Sequence, residues 1–270
     1  MSLIESCCTS LEAALAAQAR GAGRIELCTD LSVGGLTPPR DLIRDVVAAL
    51  VIPVNVLIRP AAQEPGAYEI VSREHATLGT VRGRGPSGAW EGSSEARRPG
   101  RQSRSASCAA GRTHVPDWGF TATDFVYGEQ SLQQMISDIE YCKSVGAAGI
   151  VVGTLTPEGR IDVVAMQRLI AAARGTAGSR ALPVTFHRAF DVSLEDPFAA
   201  LDLLADIGCE RILTSGRAAT AWEGRSLIAA LVRYAAGRIR ILPGSGIRPD
   251  NLAALQDATG AAEFHGTAIP

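Results

Sequence analysis

Two segments near the start of the chain carry the same short pattern, Glu-x-Cys: Glu5-Ser6-Cys7 and Glu26-Leu27-Cys28. In an extended strand, residues two apart share a face. Each pattern therefore offers one carboxylate and one thiol on the same side. If the two strands are neighbours, about 4.8 Å apart, Cys7 and Cys28 come close, and paired thiols suit a soft metal ion such as Cu(I). Free cysteines are also common as small buried core residues, and the spacing leaves both roles open. Cys8 falls on the opposite face and packs against a helix.

Other candidate groups sit where strands should end. Arg59 closes one such segment; Thr185, His187 and Arg188 close another, and Asp191 follows. His265 ends the last. His187 is a general base, a metal ligand or a satisfied core histidine. Glu26, His187 and Asp191 form the acid–base set, and Arg59 and Arg188 the cations for an anion. Two glycine turns join them: Thr214-Ser215-Gly216, and Pro243-Gly244-Ser245-Gly246 ahead of a helix beginning near Pro249. Amides exposed by such turns can cradle an anion, so Ser215, Gly216, Gly244 and Gly246 join the anion-binding candidates.

These residues are useful together only if one architecture brings strand ends to a common point. The pattern predicts strands over 3–8, 24–29, 53–59, 149–155, 182–188, 211–215, 238–242 and 263–266. Between them it predicts helices over 10–19, 40–50, 131–145, 163–173, 196–207, 226–236 and 249–259. Strict alternation means parallel strands with crossover helices. Eight strands favour a closed TIM (β/α)8 barrel over an open sheet. In such barrels the working groups stand at the carboxyl ends of the strands.

Two stretches depart from the rhythm. Residues 62–121 are rich in Gly, Ser, Arg and Pro and lack apolar periodicity, so they read as a disordered insert after the third strand. Residues 1–270 then form one barrel domain interrupted by that insert. The chain also stops just after the eighth strand, so the usual eighth helix is missing.

Composition narrows the class. Of 270 residues 46% are hydrophobic, enough for a large core, and the formal charge is −2. That charge leaves no electrostatic footprint for nucleic acid. No apolar run is long enough to span a membrane, and no signal peptide is visible. The six cysteines are scattered without a secreted disulfide pattern. A soluble, intracellular protein with reduced thiols is expected.

Several of these segments resemble the copper homeostasis protein CutC family. They are Glu-Leu-Cys (26–28) followed by Leu-Ser-Val-Gly-Gly-Leu-Thr-Pro (31–38), Pro-Val-Asn-Val-Leu-Ile-Arg-Pro (53–60) and Asp-Phe-Val-Tyr (124–127). Pro-Val-Thr-Phe-His-Arg-Ala-Phe-Asp (183–191), Ile-Leu-Thr-Ser-Gly (212–216) and Glu-Phe-His-Gly (263–266) complete the set. The resemblance runs in order through 1–60 and 123–267. It implies a TIM barrel, a homo-oligomer, a role in copper handling and a cytoplasmic location, with the nucleus as a second compartment. It also implies that Cys7 and Cys28 match the cysteines proposed to bind Cu(I). The sequence departs from the family pattern at the insert, at its C-terminal end, at Ser245 (where a glycine is usual) and at Arg217 (where a small residue is common).

Three expectations follow. The first is a Cu(I)-binding homeostasis protein using Cys7 and Cys28. The second is a barrel enzyme acting on a small anionic or phosphorylated ligand, with Arg59, Arg188 and the 244–246 turn holding the anion and Glu26, His187 or Asp191 moving protons. The third is an inactive splice variant.

Overall fold

A computed structural model describes residues 2–61, 120–176 and 180–267. The chain divides into two compact units, Met1–Glu64 with Val115–Pro270, and Pro65–His114. The second unit lies outside the described residues. So does the expected disordered insert, apart from its last two positions.

The first unit alternates strands and helices as expected. Its strands are β1 (Leu3–Cys8), β2 (Arg24–Leu27), β3 (Val54–Leu57), β4 (Gly149–Val152), β5 (Val184–Phe186), β6 (Arg211–Thr214), β7 (Arg240–Pro243) and β8 (Glu263–Gly266). All pairings are parallel, in the order β7-β6-β5-β4-β3-β2-β1-β8. β7 and β8 lie side by side and bring the ring to near closure. The fold is a TIM-barrel-like α/β barrel.

The long helices are α1 (Leu11–Ala19), α2 (Arg40–Ala49), α3 (Glu129–Ser144), α4 (Val163–Arg174), α6 (Pro197–Ile207), α7 (Arg225–Ala235) and α8 (Pro249–Thr259). Local chemistry sets their starts. Ser10 accepts from the Ala13 amide at α1, Asp162 from Ala165 at α4, and Asp196 from Phe198 and Ala199 at α6. Such caps satisfy amides that have no partner inside the helix. Pro197 occupies the first turn of α6, where a missing N–H is harmless. Among the described residues three short elements were not expected: 3-10 turns over Leu31–Val33 and Ala122–Phe125, and the single-turn helix α5 (Ala189–Val192) after β5. Among the described residues no helix follows β8.

The main core fills the space between the strands and the surrounding helices, with Ile25, Leu27, Val56, Ile150, Phe186 and Phe264 facing the helix layer. A separate small cluster, Cys7, Cys28, Leu57 and Val151, lies inside the ring. Beneath it the interior is ionic. Arg24 donates to Glu5 and, at 2.7 Å, to Glu263. Arg211 donates to Glu263 at 2.9 Å, and Asn55 to Glu5 at 3.3 Å. Strands β6 and β8 are not neighbours in the ladder, so Arg211 and Glu263 meet across the barrel's inside. Barrel interiors are ordinarily filled by branched apolar side chains. Buried charges persist here because each is paired.

Candidate functional site

The thiols end up on this ionic floor. Cys7 pairs in register with Glu26 of β2, and Cys28 lies just beyond the end of β2. The two sulfurs therefore approach diagonally, Sγ to Sγ at 3.4 Å. Cys28 is fully buried and Cys7 is 8% exposed. The Cys28 contact, burial and the Glu26 charge all push the Cys7 thiol far above its ordinary pKa. At rest Cys7 is therefore a protonated thiol in contact with the Cys28 sulfur. Cys7 also donates toward Glu26 Oε1 at 3.9 Å, a loose contact. Cys8 is buried in the outer core, as its parity requires.

Glu26 sits beside His265. Burial drives the Glu26 carboxyl up to about 7, against the lowering charges of His265 and Arg24. Burial would lower His265, but the Glu26 charge and the Glu5 carboxylate raise it to about 9. His265 Nδ1 bonds Glu5 Oε1 at 2.8 Å and lies 3.9 Å from Glu26 Oε2. Cys7, Glu26 and His265 place one donor atom each within 4.8 Å of one another. Two thiols and an imidazole form a soft donor set that fits Cu(I); the carboxylate suits it less.

His187 directly follows β5 and is buried against Phe125, ring centroids 4.9 Å apart. Burial, then the Arg59 charge, lowers its pKa to about 3, so it is neutral. Its Nδ1 accepts from the Ala189 amide at 3.2 Å. Gly153 on the neighbouring strand end makes room: a Cβ there would stand 2.4 Å from Nδ1. Arg59 donates to the Val33 and Gly35 carbonyls at 2.6 and 2.8 Å and lies over the Phe120 and Phe125 rings.

These groups line one cavity of about 440 Å³ at the carboxyl ends of the strands. That volume lies in the range of small-molecule sites. Of the residues expected from sequence, Cys7, Cys28, Glu26, His187, Arg59, Arg188 and Gly246 line it. Asp191, Ser215, Gly216 and Gly244 do not. Asp191 is turned away by α5 and accepts from Thr214, Ser215, Arg217 and Arg188, tying the ends of β5 and β6 together. Ser215 donates to the Ala218 carbonyl at 2.6 Å, Gly216 is packed on the Gly224 backbone, and Gly244 faces Leu213. Sequence reasoning noted His265 as a strand end without assigning it a role, and passed over Phe125 and Arg248, which also line the cavity. Position at a strand end was the available signal for His265.

The profile of the CutC family matches residues 2–71 and 120–270. A CutC family protein of Histophilus somni is 35% identical over 262 residues, covering 97% of this chain and 80% of that one. Another, from Parabacteroides distasonis, is 37% identical over 267 residues, covering 98% and 82%. A Streptococcus agalactiae crystal structure that bears the name copper homeostasis protein CutC superposes with a TM-score of 0.72 at 27% identity, covering 100% of both chains.

Proposed function

The chain belongs to the CutC family, and from that premise we propose that it binds Cu(I) through Cys7 and Cys28 at the barrel mouth. The observation that carries this reading is the 3.4 Å approach of the two sulfurs on the wall of the cavity. Thiolates are the preferred ligands of Cu(I). His265 lies in the same group of donor atoms and would add an imidazole nitrogen only after giving up its proton. The raised thiol pKa means that binding releases protons, so affinity rises with pH. The same reading expects a cytoplasmic protein, also admitted to the nucleus, that assembles as a homo-oligomer. The five described cysteines are all free and buried, which suits a reducing compartment. No described helix is long and apolar enough to cross a membrane.

Anaerobic titration of Cu(I) against a competing chelator tests the proposal. The wild-type chain should hold about one ion, and the Cys7→Ser/Cys28→Ser double variant should lose at least about a hundredfold in affinity. Equal affinity in the double variant would remove the thiols from the site.

A second reading is an enzyme acting on a small anionic substrate. The cavity favours it: Glu26, His187, Arg59 and Arg188 share that space, and a copper carrier has no need of them. Asp191, whose oxygens are taken by its neighbours, drops out of the acid–base set in this reading.

A further inference from the structure

Among the described residues that line the cavity, three carry a buried polar atom without a hydrogen-bond partner: His187 Nε2, Glu26 Oε2 and Arg59 Nε. The tautomer of His187 follows from its contacts. A neutral imidazole carries one proton. Nδ1 accepts from the Ala189 amide, so the proton is on Nε2. The Nδ1 and Cε1 edge lies against Gly153, which leaves Nε2–H as the buried, unpartnered polar atom of a residue on the cavity wall. His187 is 5% exposed, and an unmade hydrogen bond at such a site is costly. Arg59 is 8% exposed and its Nε is likewise without a partner.

We infer that the cavity receives a small hydroxycarboxylate, one of whose carboxylate oxygens accepts from His187 Nε2–H while its hydroxyl meets Glu26 Oε2. A hydroxyl both donates and accepts, so it suits a carboxyl oxygen in either protonation state. The carboxylate answers the neutral donor of His187 and the positive charge of Arg59. Leu57, Val151, Leu213 and Phe125 supply apolar walls for a short carbon body. A phosphate fits less well. Ser215, Gly216 and Gly244, three of the turn residues that would have cradled it, lie off the wall. The inference deepens the enzyme reading and rests on the cavity serving an organic ligand. It does not require copper.

The test uses the full chain with ¹⁵N-labelled histidine, titrated with lactate and malate, with their deoxy counterparts propionate and succinate, and with inorganic phosphate. The expected result is at least about tenfold tighter binding of one hydroxy acid than of its counterpart, the size of one well-made buried hydrogen bond. The His187 Hε2 resonance should move downfield on binding. His187→Phe, which keeps the ring packing, should weaken that binding by a similar factor. Equal binding of hydroxy and deoxy acids, an unmoved His187 signal, or tighter binding of phosphate overturns this inference and leaves the enzyme reading standing. No binding by any of these probes overturns both. The wild-type spectra decide the matter even if the Phe variant misfolds.

Discussion

Glu5 and Glu26 stand on adjacent strands inside the same barrel, both buried, and their carboxyls are driven in opposite directions, to about 2 and about 7. Burial raises both. At Glu5 the hydrogen bond and charge of His265, with Arg24 beneath, more than offset it. At Glu26 the more distant His265, the Arg24 charge and a loose thiol contact do not offset burial, and the charge of Glu5 adds to it. The cavity wall thus carries a carboxyl that titrates near neutrality, while the anion of Glu5 is fixed in the ionic layer beneath it.

His265→Gln should make stability less dependent on pH. The folded pKa of His265 is raised to about 9 from 6.5. Its charged form therefore contributes fully below about pH 6.5 and is lost as pH rises through about 9. The variant should be less stable than wild type by about 1–3 kcal/mol at pH 6, with the gap closing above pH 9. Urea unfolding at a series of pH values measures it. A gap that stays constant across that range would show that His265 is not charged in the fold.

Glu26→Gln should stabilise the protein above neutrality. A buried acid whose folded pKa is raised favours folding most below its ordinary value of 4.5, and that advantage is lost as pH rises through about 7. Replacing it removes the cost of burying the ionised form, while His265 loses a partner. The net gain should be about 1 kcal/mol at pH 8 and vanish below pH 4.5. Destabilisation at pH 8 would mean that Glu26 is held as a satisfied anion.

Gly153→Ala should disturb the site more than its size suggests. The added Cβ would lie 2.4 and 2.5 Å from His187 Nδ1 and Cε1 and 3.2 Å from the Ala189 Cβ. The imidazole must shift and lose the Ala189 amide. Overpacking of this kind costs about 1–3 kcal/mol. Thermal unfolding and the His187 ¹⁵N shifts should change together; a wild-type spectrum in the variant would refute the contact.

Asp191→Asn separates a structural from a chemical role. Its carboxylate is surrounded by donors from Thr214, Ser215, Arg217 and Arg188. An amide turns one acceptor into a donor facing other donors, at a cost of about 3 kcal/mol. A lowered melting temperature with ligand affinity retained is the expected outcome. Unchanged stability with ligand binding abolished would return Asp191 to the site.

Much of the framework was legible because strand and helix periodicities differ. The bounds of β1, β8 and α8 fall where the pattern puts them. The parity of Glu5, Cys7, Glu26 and Cys28 led to their shared space inside the ring. The diagonal approach was not legible: register sets Cys7 opposite Glu26, and pattern alone does not give register. The fate of Asp191 depended on α5, four residues too short to leave a periodic signal. The pairing of Glu5 with His265 crosses 260 positions of chain, beyond any local reading. Two departures from the family pattern were visible as residue types, and the backbone explains why they matter. Ser245 and Arg217 both adopt left-handed conformations, φ +83° and +56°, where glycine is relaxed. Arg217 is held there by the Glu195 carbonyl and the Ser193 hydroxyl.

The lateral bond between the first and last strands also bears on how the chain assembles. Glu5 and His265 are separated by 260 positions of chain, so they meet only after the intervening strands and helices have been brought together. Until then a carboxylate destined for the interior has to stay hydrated, which keeps β1 from settling early. Such dependence on distant contacts slows folding and lengthens the life of partly formed sheets with open edges. Moving the termini by circular permutation, so that β8 directly precedes β1, should speed refolding while leaving the finished barrel unchanged.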